Sequence, residues 1–235
     1  MITRVTITGA DNSISPLDLV RITRQFPFVE WGILVSKNSV GNYRFPTFGW
    51  INELINLKKL YDLPLSLHIC GRYVRDLVDG KPTVINDLPK IWRAFDRVQI
   101  NTHAQNHNTG ELMMPILNCF PEKEFIFQFD NVNGQLLENA INSGVNCSAL
   151  FDLSHGTGVL PEKWPKPLKG KCGYAGGLGP DNIQQQIHTI ESIVGEKQVW
   201  IDMETKVRSA NDRLFDLNKV VKCLEISEPY VNYYN

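Results

Sequence analysis

The sequence is poor in the features that mark specialised chains. Its five cysteines (Cys70, Cys119, Cys147, Cys172 and Cys223) are odd in number and scattered, with no CxxC pair. That excludes a disulfide-stapled scaffold and makes a zinc site unexpected; it fits free thiols in a reducing compartment. Charge of one sign is also lacking. With 24 basic and 25 acidic residues the formal net charge is −1, so there is no broad field to hold a nucleic acid or an anionic membrane, and any anion site must be local. No apolar run reaches the roughly 18 residues that a membrane span needs. The opening Met1-Ile2-Thr3-Arg4-Val5 enters a strand pattern at once, without a signal-peptide core, and a cytoplasmic location is the expectation. Nor does any Gly/Ser/Pro-rich linker, low-complexity tract or run of like charge divide the 235 residues. One domain over residues 1–235 is therefore expected.

What the chain does have is a hydrophobic fraction of 43%, enough for a large core, and a steady alternation of short β-rich runs with helical patterns, the mark of βα units. The strands expected are Val5 to Gly9, Val29 to Ser36, Leu65 to Gly71, Arg97 to Thr102, Glu124 to Asp130, Cys147 to Ser154, Cys172 to Gly177 and Gln198 to Glu204. Helices are expected over Pro16 to Gln25 behind the cap Ser15, Ile51 to Tyr61, Tyr73 to Val78, Pro89 to Phe95, Gly134 to Asn142, Asn182 to Val194 and Asn218 to Ile226. The fourth crossover offers only Leu112 to Asn118, a short helix broken by Pro115.

Such an order suits either an open doubly wound sheet or a (β/α)₈ barrel. Polar residues two apart share a strand face, and they sit near the carboxyl ends of six strands: Thr6/Thr8, His68/Cys70, Gln99/Asn101, Gln128/Asp130, Asp152/Ser154 and Asp202/Glu204. An open sheet would gather them at one switch point. A ring of them fits a single (β/α)₈ TIM barrel with its site at the C-terminal mouth.

The most informative segment is Gly173-Tyr174-Ala175-Gly176-Gly177-Leu178-Gly179-Pro180-Asp181-Asn182-Ile183. It reads as a strand ending in two glycines, then a turn, then a helix opened by Pro180 or Asp181, with unpaired amides suited to phosphate. A bare tight turn is the alternative. A second glycine loop, Gly156-Thr157-Gly158, follows Asp152, whose carboxyl is placed to move a proton beside a ligand; the plain alternative is a solvated turn. Two such loops on neighbouring strand ends suit one phosphate. His68 is either a satisfied core histidine or a site residue, and Lys37, Arg44 and His103 are loop cations that an anion would meet. Trp31, Trp50, Trp92 and Trp200 fit packing positions.

Ala175-Gly176-Gly177-Leu178 with Pro180-Asp181-Asn182-Ile183 resembles the strand-seven phosphate loop of the phosphoribosylanthranilate isomerase family. Thr6-Ile7-Thr8-Gly9 is similar to that family's Lys-Ile-Cys-Gly and Val98-Gln99-Ile100-Asn101 to its Val-Gln-Leu-His, and Leu150-Phe151-Asp152 with Gly156-Thr157-Gly158 to its strand-six aspartate and glycine loop. The resemblance implies a cofactor-free Amadori rearrangement of an aminoaldose phosphate. Asp152 would be the acid; Gly156, Gly158, Gly176 and Gly177 would hold phosphate; Arg44 would hold the carboxylate of an aromatic ring. Three departures stand out. Thr8 replaces the family's cysteine base, Asn101 its histidine, and Asp202-Met203-Glu204-Thr205-Lys206-Val207-Arg208 its Asp-Val-Ser-Ser-Gly-Val-Glu. Lys206 or Arg208 would then supply charge for phosphate, and Glu204 would repel it if too near.

Three functions follow as expectations. The first is a divergent sugar-phosphate isomerase with Asp152 as acid and a base drawn from Asp11, Cys70 or His68, His68 lowering the Cys70 pKa; Thr157 would join the phosphate loop, and Thr8, Asn101, Gln128 and Asp202 would contact substrate. The second is an epimerase, lyase or hydrolase using Asp130, Asp152, Asp202 and Glu204, which could also recruit a divalent metal. The third is a phosphate-ligand-binding protein that has lost its base at Thr8. The partner expected in all three is a small phosphorylated molecule, with neither nucleic acid nor membrane, bound by a monomer or homodimer.

Overall fold

A computed structural model describes residues 1–102, 110–130, 133–152 and 158–232. Eight parallel strands close into a barrel: β1 (Ile2–Thr8), β2 (Val29–Ser36), β3 (Leu65–Cys70), β4 (Arg97–Ile100), β5 (Glu124–Phe129), β6 (Cys147–Asp152), β7 (Cys172–Ala175) and β8 (Val199–Met203), with β8 returning to pair with β1. Alternation along the strands sorts the side chains. Val5, Ile7, Trp31, Ile33, Leu67, Ile69, Val98, Phe125, Phe127 and Tyr174 face outward and join the core packed beneath the helices. The opposite parity fills the barrel.

The helices on that core are α1 (Pro16–Gln25), α2 (Phe48–Lys58), α3 (Arg72–Val78), α4 (Thr83–Asp87), α5 (Pro89–Ala94), α6 (Met114–Leu117), α7 (Gly134–Asn142), α8 (Ile183–Val194) and α9 (Leu217–Ser227). Ser15 caps α1 as expected: its hydroxyl accepts from an N-terminal amide while Asp18 reaches back to the Ser15 amide, a reciprocal box. Several boundaries differ from the sequence reading by a few residues, and three helix starts have a plain cause. α2 starts three residues early because Thr47 caps it, Oγ1 accepting from the Trp50 amide. Pro115 starts the fourth-crossover helix instead of breaking it, since a first-turn proline gives up an amide that has no helical partner anyway. α8 begins at Ile183, not at Pro180 or Asp181, the Asn182 side chain turning back to bond the Gly177 carbonyl and the Gly179 amide. The short helix α4 and a two-stranded hairpin, β9 (Arg208–Ser209) with β10 (Leu214–Phe215), were not foreseen. No helix among the described residues is long and apolar enough to cross a membrane.

Inside the barrel the chemistry changes with height. Near the N-terminal end Arg97 is enclosed, its guanidinium 2.6 Å from Glu30 and 3.0 Å from Glu124 and stacked 4.5 Å over the Trp200 ring. One inward step higher, Ile126, Leu150, Ala175 and Trp200 make a small apolar plug, separate from the outer core. Ala175 reaches the level of the polar strand ends, which stand above the rest of the plug.

Candidate active site

The mouth holds a cavity of about 270 Å³, just under the roughly 300–1,000 Å³ of most ligand pockets, so it suits a small ligand. Of the residues singled out in the sequence, His68, Cys70, Gln99, Asn101, Gln128, Asp152, Gly158, Gly176, Gly177, Asp202, Arg44 and Lys206 all line it. Glu204 and Thr205 do too, with Leu34, Phe45 and Met203 as apolar walls. His103, Ser154, Gly156 and Thr157 lie outside the described residues. Asp130, Asp11, Lys37 and Arg208 do not line the cavity; each is committed elsewhere, as follows.

Asp130 closes a turn, accepting from the amide and the side chain of Asn133 at 2.7 and 2.9 Å. Lys37 pairs with Asp87 on the surface. Asp11 is buried and accepts from the Ser13 and Arg44 amides and from Arg208 at 2.6 Å. Burial works against its charge, but the bonds from Ser13, Arg44 and Arg208 outweigh it and hold the carboxyl below its ordinary range, the wrong direction for a base at neutral pH. Arg208 also donates to the Gly9 carbonyl at 2.5 Å and pairs with Asp212 at 2.9 Å. It is a strut between the β1 loop and the hairpin, not a phosphate ligand as expected.

Arg44 is likewise taken. Its side chain bonds Asp212 at 2.6 Å and Glu204 at 2.5 Å, and its backbone lies in the left-handed region at φ 71°. It reaches the cavity wall already neutralised by two carboxylates.

On the β6–β8 side, Asp152, Ala175 and Asp202 are in register. The two carboxyls thus flank a methyl group at one height, with Cα atoms roughly 10 Å apart at two strand spacings. Thr8 donates to Asp202 Oδ1 at 2.9 Å. Burial pushes the Asp202 carboxyl well above its ordinary range; the Thr8 bond opposes this, and the charges of Glu204, Glu30 and Asp152 add to it. Its surroundings therefore favour the protonated carboxyl over the carboxylate. Gln128 Nε2 lies 3.5 Å from Asp152 Oδ2.

The glycine loops meet beside these carboxyls. At Gly177 (φ +68°) an added Cβ would lie 2.5 Å from the Leu160 amide nitrogen and 3.1 Å from the Gly158 carbonyl oxygen, so the loops after β6 and β7 touch backbone to backbone. Asn182 stiffens the second one, donating to the Gly177 carbonyl and accepting from the Gly179 amide at 2.9 and 3.0 Å. Two amides of the expected row are spent as well, since Asn182 and Ile183 donate to the Gly179 carbonyl. The amides of Gly177 and Leu178 have no acceptor among the described residues. Lys206 packs over Gly179, and no carboxylate pairs with it among the described residues.

Among the described residues the opposite wall, from β3 to β5, carries no formal charge. Gln99 Nε2 donates to Asn101 Oδ1 at 2.8 Å, and Asn101 Nδ2 donates to Cys70 Sγ at 3.1 Å. The idea that His68 activates Cys70 is overturned. Burial pushes the thiol up to about 12, the Asn101 bond lowering it and the Glu204 charge raising it. Burial and then the Arg97 charge push His68 down to about 3, so the imidazole is neutral and has no charge to lend. Among the described residues no three His, Cys, Asp or Glu side chains are grouped closely enough to hold a metal ion.

Neither a family sequence profile nor a curated protein matches this chain. Solved structures do. N-(5'-phosphoribosyl)anthranilate isomerase from Pyrococcus furiosus aligns over 97% of this chain and 99% of its own, at 15% identity and TM-score 0.52. Phospho-2-dehydro-3-deoxyheptonate aldolase from Thermotoga maritima aligns over 98% and 68%, at 12% identity and TM-score 0.61. An aldolase from Escherichia coli K12 aligns over 97% and 88%, at 11% identity and TM-score 0.53. The likeness is one of fold. This chain is a (β/α)₈ barrel. At such identities the barrel's chemistry has to be argued from its own residues.

Proposed function

We propose that this barrel is an enzyme that binds a small sugar phosphate at its mouth and isomerises it by proton transfer, in the aldose–ketose or Amadori manner. One observation carries the reading: two carboxyls, Asp202 and Asp152, flank Ala175 in the same cavity where two glycine loops and Lys206 converge. Phosphate would lie against the amides of Gly177 and Leu178 with Lys206 as counter-charge, Gly156, Thr157, Gly158 and Gly176 completing the cradle. Asp202 would protonate the ring or carbonyl oxygen, and Asp152 would take the proton from the adjacent carbon. This inverts the resemblance, in which Asp152 is the acid, because Asp202 is the carboxyl whose environment retains a proton. That the similar barrels are named as an isomerase and aldolases agrees with an enzyme of this kind.

A second reading has its own observation. Thr8 spends its hydroxyl on Asp202, and Cys70 keeps its proton, so the mouth offers no thiol base, and a phosphate-ligand-binding protein without turnover is the alternative. Deuterium exchange separates the two. Incubation with ribose 5-phosphate, ribulose 5-phosphate and a carboxyphenylamino-deoxyribulose phosphate in D₂O, followed by NMR, is expected to show loss of the C–H proton next to the carbonyl or imine carbon for at least one of them. Asp152→Asn should slow that exchange by about 100-fold or more with ligand affinity retained. Tight binding with no exchange for any of the three leaves only the binding protein.

A further inference from the structure

The two walls of the cavity differ in kind. The β6–β8 wall carries every carboxylate of the pocket and Lys206, whereas the β3–β5 wall presents His68, Cys70, Gln99, Asn101 and Gln128. On this second wall three polar atoms are fully buried with no hydrogen-bond partner among the described residues: Nδ1 and Nε2 of His68 and Oε1 of Gln99. Their residues are 1% and 5% exposed, and both line the cavity. Buried polar groups are ordinarily satisfied, so unused capacity on residues that line a pocket indicates a ligand that supplies the missing partners. The neighbouring amides do not supply them: Asn101 bonds Gln99 Nε2 and Cys70, and Gln99 uses only its NH₂ end.

We infer that the His68–Gln99 wall is the subsite for an uncharged polyhydroxylated end of the ligand, one that donates hydroxyl protons to Gln99 Oε1 and an imidazole nitrogen of His68. The inference rests on the phosphate reading of the opposite wall and names what the rest of the ligand is. An aromatic carboxylate, the moiety that the resemblance implies, is disfavoured on three counts. The described residues of the wall bring no charge to meet it, Arg44 is held by Glu204 and Asp212, and a cavity of about 270 Å³ has little room for an added ring. β3 and β4 stand across the eight-stranded barrel from β7 and β8, so a single open-chain or cyclic sugar phosphate would span from one wall to the other.

Ribitol 5-phosphate is the probe, because it carries the hydroxyls and the phosphate but no carbonyl to be turned over. Calorimetry on the full chain is expected to show it binding about tenfold or more tighter than inorganic phosphate and than phenyl phosphate, the gain of a few hydrogen bonds. Gln99→Leu should erase that gain and leave affinity for inorganic phosphate unchanged, which also reports that the variant is folded. In parallel, the ¹⁵N signals of the His68 ring, assigned by their loss in His68→Gln, should move with ribitol 5-phosphate and stay still with inorganic phosphate. Equal binding of ribitol and phenyl phosphates, or an unmoved His68 ring with ribitol 5-phosphate, overturns the inference while phosphate binding stands. Ribitol itself is the last arm. If it moves the His68 ring while no phosphate binds, the polyol wall is supported and the phosphate reading falls.

Discussion

Thr8 and Asp202 share one hydrogen bond, and the energetics of that pair reach beyond chemistry. The Asp202 pKa is raised well above 3.8 in the folded chain, so the unfolded chain ionises first as pH climbs. Its contribution to stability is whole below about pH 4 and is lost as pH rises toward the folded pKa. Asp202→Asn keeps an oxygen to accept the Thr8 proton and removes the ionisation. It is expected to raise Tm by about 2–4 °C at pH 7, an ordinary gain for relieving a strained site, and by less at pH 4, while proton exchange on substrate falls. A scanning-calorimetry series in pH checks it; an equal gain at both pH values means that ionisation is not the cause. The same burial that governs Asp202 disarms Cys70. With its thiol pushed up to about 12, Cys70 should escape alkylation by iodoacetamide at pH 8 in the native protein, whereas the exposed Cys119 reacts. Peptide mass spectrometry before and after unfolding tests this, and rapid native labelling of Cys70 would restore it as a nucleophile.

At the scale of elements, the mouth is assembled from loops that lean on one another. Gly177 combines a left-handed φ of 68° with backbone atoms of Val159 and Leu160 within 2.7 Å of where a Cβ would sit. Gly177→Ala should cost about 2 kcal/mol, roughly 5 °C in Tm, through strain and clash. Loss of ligand binding in a bulkier replacement would follow from misplaced loops as well as from a blocked phosphate. An unchanged Tm would mean the loops do not touch as described. These elements differ in how legible they were. All eight strands and the inward ring of Thr8, His68, Gln99, Asp152 and Asp202 could be read from the sequence, because parity along a strand is local and needs no partner. Ion pairing was not legible: Arg44, Asp212 and Glu204 come from three separate stretches of chain, and nothing in the spacing of Asn211-Asp212 says that this turn folds back on Arg44. The cap of α2 and the Asn182 brace before α8 were missed for a different reason. Thr47 and Asn182 are ordinary loop residues until the direction of the chain beside them is known.

The whole molecule is organised around a barrel whose lower interior is ionic instead of aliphatic. Glu30, Arg97 and Glu124 come from β2, β4 and β5, and each looks in sequence like a polar strand end; only the register of the closed sheet turns them inward together. Glu124 is the member whose charge is most clearly bound up with folding. Burial disfavours its ionised form, but Arg97, the Ser148 hydroxyl at 2.8 Å and Lys171 more than compensate, and the carboxyl falls to about 2. A carboxyl lowered from 4.5 stabilises the fold at every pH above that value and loses the contribution as pH drops through about 2. The size at pH 7 is about 3 kcal/mol. Glu124→Gln should therefore lower the urea midpoint markedly at pH 7, leaving Arg97 short of a partner inside the barrel. The gap between wild type and variant should narrow steadily from pH 4.5 downward and close near pH 2. Urea titrations at pH 7, 4.5, 3.5 and 2.5 measure it. A gap that keeps its size across that range would mean that Glu124 contributes through shape and neutral hydrogen bonds, and that the charge of the lower barrel is incidental to its stability.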